Sequence, residues 1–206
     1  MRRWRPQLNS GVRLPQVGPI DTIVPVSRIL VVTGASGAGK TATVRALDAR
    51  AVSGVRCFYF DSIGVPSAEA MERDYGSAEQ WQAAATAAWL ARLGALPKDI
   101  RLAVLDAQTR PSFVFDAAAR AAPRTVNVAL LDCSSNVRAA RLHGPRQQPE
   151  LANARMDHWA AYLRGQADAL GLTIIDTSIL TVTEVAEKLE QVVRGLIDAD
   201  APNKKL

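Results

Sequence analysis

The stretch Ile29-Leu30-Val31-Val32-Thr33-Gly34-Ala35-Ser36-Gly37-Ala38-Gly39-Lys40-Thr41 decides the fold. Its first five residues are apolar up to Val32 and β-branched except for Leu30, which suits a short buried strand. The next eight match GxxxxGK[ST], and Thr41 to Ala51 reads as a helix, so the motif sits between a strand and a helix as a phosphate-binding loop requires. The glycines let successive N–H groups turn inward around an anion, and the helix that begins there adds its positive dipole end. In that reading Gly34, Ala35, Ser36, Gly37, Ala38 and Gly39 form the cradle, Lys40 reaches the β- and γ-phosphates, and the Thr41 hydroxyl is a magnesium ligand.

Outward from the loop, strands and helices alternate. Val55 to Phe60 reads as a second strand ending at Asp61, Arg101 to Leu105 as a third ending at Asp106, Val126 to Leu131 as a fourth ending at Asp132, and Leu172 to Ile175 as a fifth ending at Asp176. This is the pattern of a parallel sheet covered on both faces. Ligands of such sheets lie beyond the carboxyl ends of the strands, which places Asp61 and Asp106 toward whatever the loop holds. Asp132 and Asp176 read better as turn formers or helix caps.

Two segments depart from the strand–helix rhythm. Residues 64–99 contain the capping pattern Ser77-Ala78-Glu79-Gln80, followed by Trp81, Ala84, Ala85, Ala88, Trp89 and Leu93 on one helical face. The tryptophans read as core, and the polar Glu69, Glu72, Arg73 and Tyr75 upstream are either a grip for an acceptor or a solvated face. Residues 137–150 carry Arg138, Arg141 and Arg146 with no acid between them. A planar guanidinium suits phosphate oxygens and flat bases, so this segment reads as a lid over a nucleotide. Near the end, Thr181-Val182-Thr183-Glu184 is a capping pattern, and Val185, Leu189, Val192 and Leu196 give the last helix an apolar stripe.

Composition bounds the class. With 206 residues, 48% hydrophobic and 22% charged, the chain has the make-up of one ordinary globular domain. No apolar run approaches the roughly 18 residues of a membrane helix, and no apolar stretch follows the N-terminal arginines, so neither an anchor nor a secretory leader is expected and the cytoplasm is the default. Of the net charge of +5, residues 1–28 hold +4, through Arg2, Arg3, Arg5, Arg13 and Arg28 against Asp21. The remainder is nearly neutral, which argues against nucleic acid as a partner and makes residues 1–27 an irregular basic extension. Cys57 and Cys133 lack metal-ligand spacing and read as reduced core or core-edge thiols.

The phosphate loop, Asp61-Ser62 after the second strand, the arginine-bearing segment after the fourth, and Ile174-Ile175-Asp176-Thr177-Ser178 before the last helix together resemble the small P-loop kinases. These are the nucleoside monophosphate kinase-like superfamily, which includes shikimate kinase, gluconate kinase and chloramphenicol phosphotransferase. The resemblance covers residues 28–197 and leaves 198–206 as a tail. It implies a three-layer α/β P-loop NTPase fold with a five-stranded parallel sheet of order 2-3-1-4-5. It also implies transfer of the γ-phosphoryl group of Mg-ATP to a hydroxyl of a small molecule. In that scheme Asp61 contacts the acceptor hydroxyl, Asp106 holds a magnesium-bound water, Arg141 covers the adenine, and Arg146, with Arg138, reaches the transferred phosphate. Relatives often carry glycine after the acid at Asp106-Ala107, a point of departure here. The guanine-specific Asn/Thr-Lys-x-Asp motif is missing, since Asn203-Lys204-Lys205-Leu206 has no aspartate, and no Leu-Ser-Gly-Gly-Gln-like signature occurs. The competing class is a nucleotide-binding regulatory or assembly ATPase without a small-molecule acceptor. Neither the acceptor nor the oligomeric state is written in the residues.

Overall fold

The computed structural model describes residues 28–97, 99–120 and 125–199; the basic N-terminal segment lies outside them, as does the tail beyond residue 199. Five strands, β1 (Arg28–Thr33), β2 (Val55–Tyr59), β3 (Leu102–Asp106), β4 (Thr125–Asp132) and β5 (Thr173–Asp176), form one sheet in the order β2-β3-β1-β4-β5. Every neighbouring pair is parallel. The helices are α1 (Lys40–Asp48), α2 (Ala68–Tyr75), α3 (Ala78–Gly94), α4 (Pro111–Arg120), α5 (Ser135–His143), α6 (Ala154–Ala169) and α7 (Val182–Asp198).

The period-two geometry of a strand explains why β1 is apolar from Ile29 to Val32: alternate side chains serve opposite faces, and both faces are covered. Ile29 and Val31 pack with Trp89 and Leu93 of α3 and Val114 of α4. Leu30 and Val32 pack with Val44 and Leu47 of α1 and with Val185, Leu189 and Val193 of α7. A third, smaller cluster joins Leu130 of β4 to Leu163 and Ala167 of α6. The result is the expected three layers and strand order. Connections leave the two sides of β1 in opposite directions, so the crevice at its carboxyl end is the topological switch point where this architecture binds ligands.

Several boundaries differ from expectation. The first helix stops at Asp48, and the chain turns through Ala51 at a left-handed φ of 48°. The second strand ends at Tyr59, and Phe60–Ile63 wind into a 3-10 turn, which puts Asp61 in that turn instead of at the strand end. The segment 64–99 holds two helices. Ser77 caps the second, its Oγ accepting from the Gln80 N–H at 3.1 Å. At Thr181 the reciprocal capping box is complete. The buried stripe of α7 runs through Val185, Leu189, Val193 and Ile197, with Val192 and Leu196 only packed at its margin. Both cysteines are free thiols; Cys133 is buried, with its Sγ 3.8 Å from the Gly37 carbonyl oxygen. Among the described residues no helix is long and apolar enough to cross a membrane.

Both tryptophans of α3 serve packing. Trp89 is 2% exposed and its Nε1 donates to the Phe60 carbonyl at 3.2 Å, while Trp81 meets Phe60 edge-on at 6.0 Å. Trp89→Ala is therefore expected to lower the unfolding free energy by about 3–5 kcal/mol. Urea denaturation followed by circular dichroism measures this, and a loss under about 1 kcal/mol contradicts the packing described.

Candidate active site

The turn after β1 is shaped by what a side chain would strike. At Gly34 a Cβ would lie 2.3 Å from the Leu131 carbonyl oxygen, so only glycine lets the chain pass β4 there. Gly39, at φ +92°, is the N-cap of α1 and offers no side-chain acceptor to the first helical N–H groups. Those donors, with the dipole of α1 behind them, remain free for an anion. Lys40 is buried at the same point, and its Nζ donates to the Ala35 carbonyl at 3.1 Å. Burial lowers its pKa to about 8, against the opposing pull of the Asp106 carboxylate, with the Arg146 charge adding to the fall.

Asp106, at the carboxyl end of β3, accepts from the Thr41 hydroxyl at 2.5 Å. Burial raises its pKa, and the nearby Lys40 charge and the Thr41 hydrogen bond oppose that rise. Among the described residues no group of three or more His, Cys, Asp or Glu could hold a metal ion. One hydroxyl with one carboxylate is instead the sparse oxygen set that suits magnesium, which retains several waters and takes the rest of its shell from phosphate oxygens. The residues present therefore fit that ion, with Thr41 and Asp106 as the protein's share.

Asp61, brought in by the turn after β2, joins Lys40, Thr41, Asp106 and Arg146 around one chamber of about 380 Å³. Beside it, a chamber of about 500 Å³ shares Lys40, Thr41 and Arg146, and is walled by Arg141, Pro145, Thr177, Leu180, Val182 and Val185. Arg141 is fixed there by Thr177, donating to its hydroxyl at 2.9 Å and its carbonyl at 2.6 Å, and to the Gly37 carbonyl at 3.3 Å. Arg146 donates through Nε to the Gln148 side chain.

Arg138 requires a correction. The reading that no acid accompanies the three arginines holds along residues 137–146 alone; in space, Arg138 donates to Asp157 of α6 at 2.6 Å and lies 3.7 Å from Asp132. It also donates to the Cys133 carbonyl at 2.8 Å, and it lines neither chamber around Lys40. A Cβ on Gly37 would fall 2.8 Å from its Cγ, so this side chain braces the loop from behind. Asp132 and Asp176 act locally as expected, accepting from the N–H of Cys133 at 2.9 Å and of Ser178 at 2.8 Å.

A third cavity of about 1030 Å³ opens between α3, the β3–α4 loop and α6. Gln108 lines it and the Lys40 chamber alike, with its Oε1 accepting from Ser36 at 3.0 Å. Glu79, Gln82, Arg110, Trp159 and Tyr162 also line it, whereas Glu69, Glu72, Arg73 and Tyr75 line none of the three cavities. Sequence reading passed over Gln108 and Arg110. The signal available was their place directly after Asp106, at the carboxyl end of a strand beside the switch point.

No family model and no curated protein matches the chain. Solved structures do. A gluconokinase from Sinorhizobium meliloti 1021 superposes with a TM-score of 0.57 at 17% identity, over 85% of this chain and 98% of the other. A deoxyadenosine kinase from M. mycoides, with products bound, gives 0.52 at 15% identity, over 81% and 99%. Shikimate kinase from Acinetobacter baumannii in complex with shikimate gives 0.50 at 16% identity, over 81% and 93%. The chain thus has the fold of the P-loop small-molecule kinases.

Proposed function

We propose that this protein is a phosphotransferase that moves the γ-phosphoryl group of Mg-ATP to a hydroxyl group of a small molecule. The observation that carries the reading is the meeting of Lys40, Thr41, Asp61, Asp106 and Arg146 around one chamber that adjoins, through Gln108, a cavity large enough for an acceptor. Phosphoryl transfer asks of a protein mainly in-line placement and neutralisation of charge on the equatorial oxygens. The N–H groups from Ser36 to Lys40 and the Lys40 ammonium hold the triphosphate, and Arg141 with the apolar wall of Leu180, Val182 and Val185 takes the base. Thr41 and Asp106 would hold magnesium, which would supply charge neutralisation on the phosphate oxygens. The acceptor oxygen forms its bond to the γ-phosphorus as the bond to the β-phosphate oxygen breaks and ADP departs. Asp61 takes the hydroxyl proton, and Arg146 steadies the phosphoryl oxygens. Arg138 has no part in the transfer and supports the loop.

Three outcomes test the reading. Lys40→Ala is expected to lower acceptor-dependent turnover by about 10²-fold or more while the protein still folds. Asp61→Asn is expected to lower turnover by about 10²–10⁴-fold and to leave the affinity for a non-hydrolysable ATP analogue within about threefold. Both come from coupled assays for ADP with a library of hydroxyl compounds; rapid hydrolysis that no acceptor accelerates would instead favour the regulatory ATPase class. The third concerns protons. Burial holds the free Lys40 near a pKa of about 8, and a bound triphosphate restores a strong preference for its charged form. Nucleotide binding above that pH should therefore take up a proton and weaken as pH rises further. Calorimetry at about pH 8.5 in buffers of different ionisation heat reads the uptake, and a buffer-independent heat contradicts it.

A further inference from the structure

We infer that Gln108 is a further catalytic residue: its side-chain amide donates to the phosphoryl group in transit between ATP and the acceptor, and Ser36 of the phosphate loop sets the direction of that amide. This rests on the phosphotransferase reading above, and it adds a donor that comes from neither the loop nor the arginine-bearing segment.

Gln108 lies where the two halves of the site meet. It borders the chamber of about 380 Å³ together with Lys40, Asp61, Asp106 and Arg146, and it also borders the cavity of about 1030 Å³. A group handed from the loop to an acceptor passes this side chain. Its main chain is fixed by Gln82, whose Nε2 donates to the Gln108 carbonyl at 2.8 Å. The next residue, Thr109, is pinned twice: its carbonyl accepts from the Thr33 hydroxyl at 2.6 Å, and its own hydroxyl lies 2.8 Å from that of Thr86. At the tip of the side chain, Oε1 accepts from the Ser36 hydroxyl at 3.0 Å. The fold has thus ordered a flexible side chain before any ligand arrives, the condition under which a donor contributes most to a transition state.

With the oxygen turned to Ser36, the other edge of the amide is Nε2, which carries two N–H donors and has no hydrogen-bond partner among the described residues. That limits what the side chain does. In the transfer the acceptor oxygen bonds to the γ-phosphorus, the bond to the β-phosphate oxygen breaks, ADP leaves and the hydroxyl proton passes to Asp61. Gln108 gives up no proton and makes no covalent bond; it donates to the equatorial oxygens, over which the charge is spread midway through the transfer. Its neutrality suits the place. A lysine or arginine beside Asp61 would favour the charged carboxylate and make it a weaker base, whereas an amide adds donors and leaves that basicity intact. If Gln108 merely braced the loop through Ser36, a carboxylate in its place would serve as well, because it accepts the same bond.

The test needs no acceptor. The full chain is titrated calorimetrically with MgADP, with MgADP and aluminium fluoride, a planar mimic of the phosphoryl group in transit, and with a non-hydrolysable Mg-ATP analogue. The unaltered protein is expected to hold MgADP about tenfold or more tightly when aluminium fluoride is present. Gln108→Met, close in shape and without donors, should lose most of that gain while the affinities for MgADP alone and for the analogue stay within about threefold. Gln108→Glu, which still accepts from Ser36, should lose at least as much. Ser36→Ala should lose about threefold, and the double variant no more than Gln108→Met alone, because the serine acts through the amide. Single-turnover hydrolysis of ATP, with water as the acceptor, should slow in the same order. A gain retained in Gln108→Met or Gln108→Glu overturns the inference, as does an equal loss of all three affinities, the mark of a brace. If the unaltered protein binds no nucleotide, or gains nothing from aluminium fluoride, it is the phosphotransferase reading that falls.

Discussion

A buried ammonium that touches no carboxylate is the constraint around which this structure is arranged. Among the described residues Lys40 forms no ion pair, and it leans on the Ala35 carbonyl of its own loop. Withdrawing its charge from water costs free energy, which is what pulls its pKa to about 8. The fold accepts that cost because the strand before the loop and the helix after it are both locked into apolar clusters on opposite faces of the sheet. In the proposed reaction a bound triphosphate would offset it. The site is therefore poised by its own unfavourable electrostatics, and the aspartates that approach Lys40 soften the cost without cancelling it.

The chambers around that ammonium divide the labour by element. The turn after β1 and the start of α1 present donors, the carboxyl end of β3 presents an acid and then Gln108, and α7 with the segment after β5 closes the apolar side. Ser36 of the loop holds Gln108 of the neighbouring strand's exit, so the phosphate side and the large cavity share one hydrogen-bonded hinge point. The large cavity draws its walls from α3, the β3–α4 loop and α6, elements that are distant in the chain.

That division explains what could be read from residues alone. The phosphate loop is local: eight consecutive residues between a strand and a helix, each needed at its place for backbone reasons. The sheet was readable because strands buried on both faces must be apolar throughout, as Ile29 to Val32 and Leu102 to Leu105 are. Arg138 was misread because its acids, Asp132 and Asp157, come from β4 and α6 and no spacing rule connects them. Arg110 was overlooked for the same reason. Its meaning comes from Gln82, Trp159 and Tyr162, which only the tertiary fold assembles around it. Helix ends moved by a few residues where turn conformation, as at Ala51, outweighed helical propensity.

Cys133 sits directly behind the phosphate-binding turn, 3.8 Å from the Gly37 carbonyl oxygen, and burial keeps its thiol protonated at neutral pH. A sulfur so shielded meets an alkylating reagent only when the turn swings aside. Its modification rate is accordingly a clock for the breathing of that turn, and anything that clamps the glycines from the front slows the clock from the back.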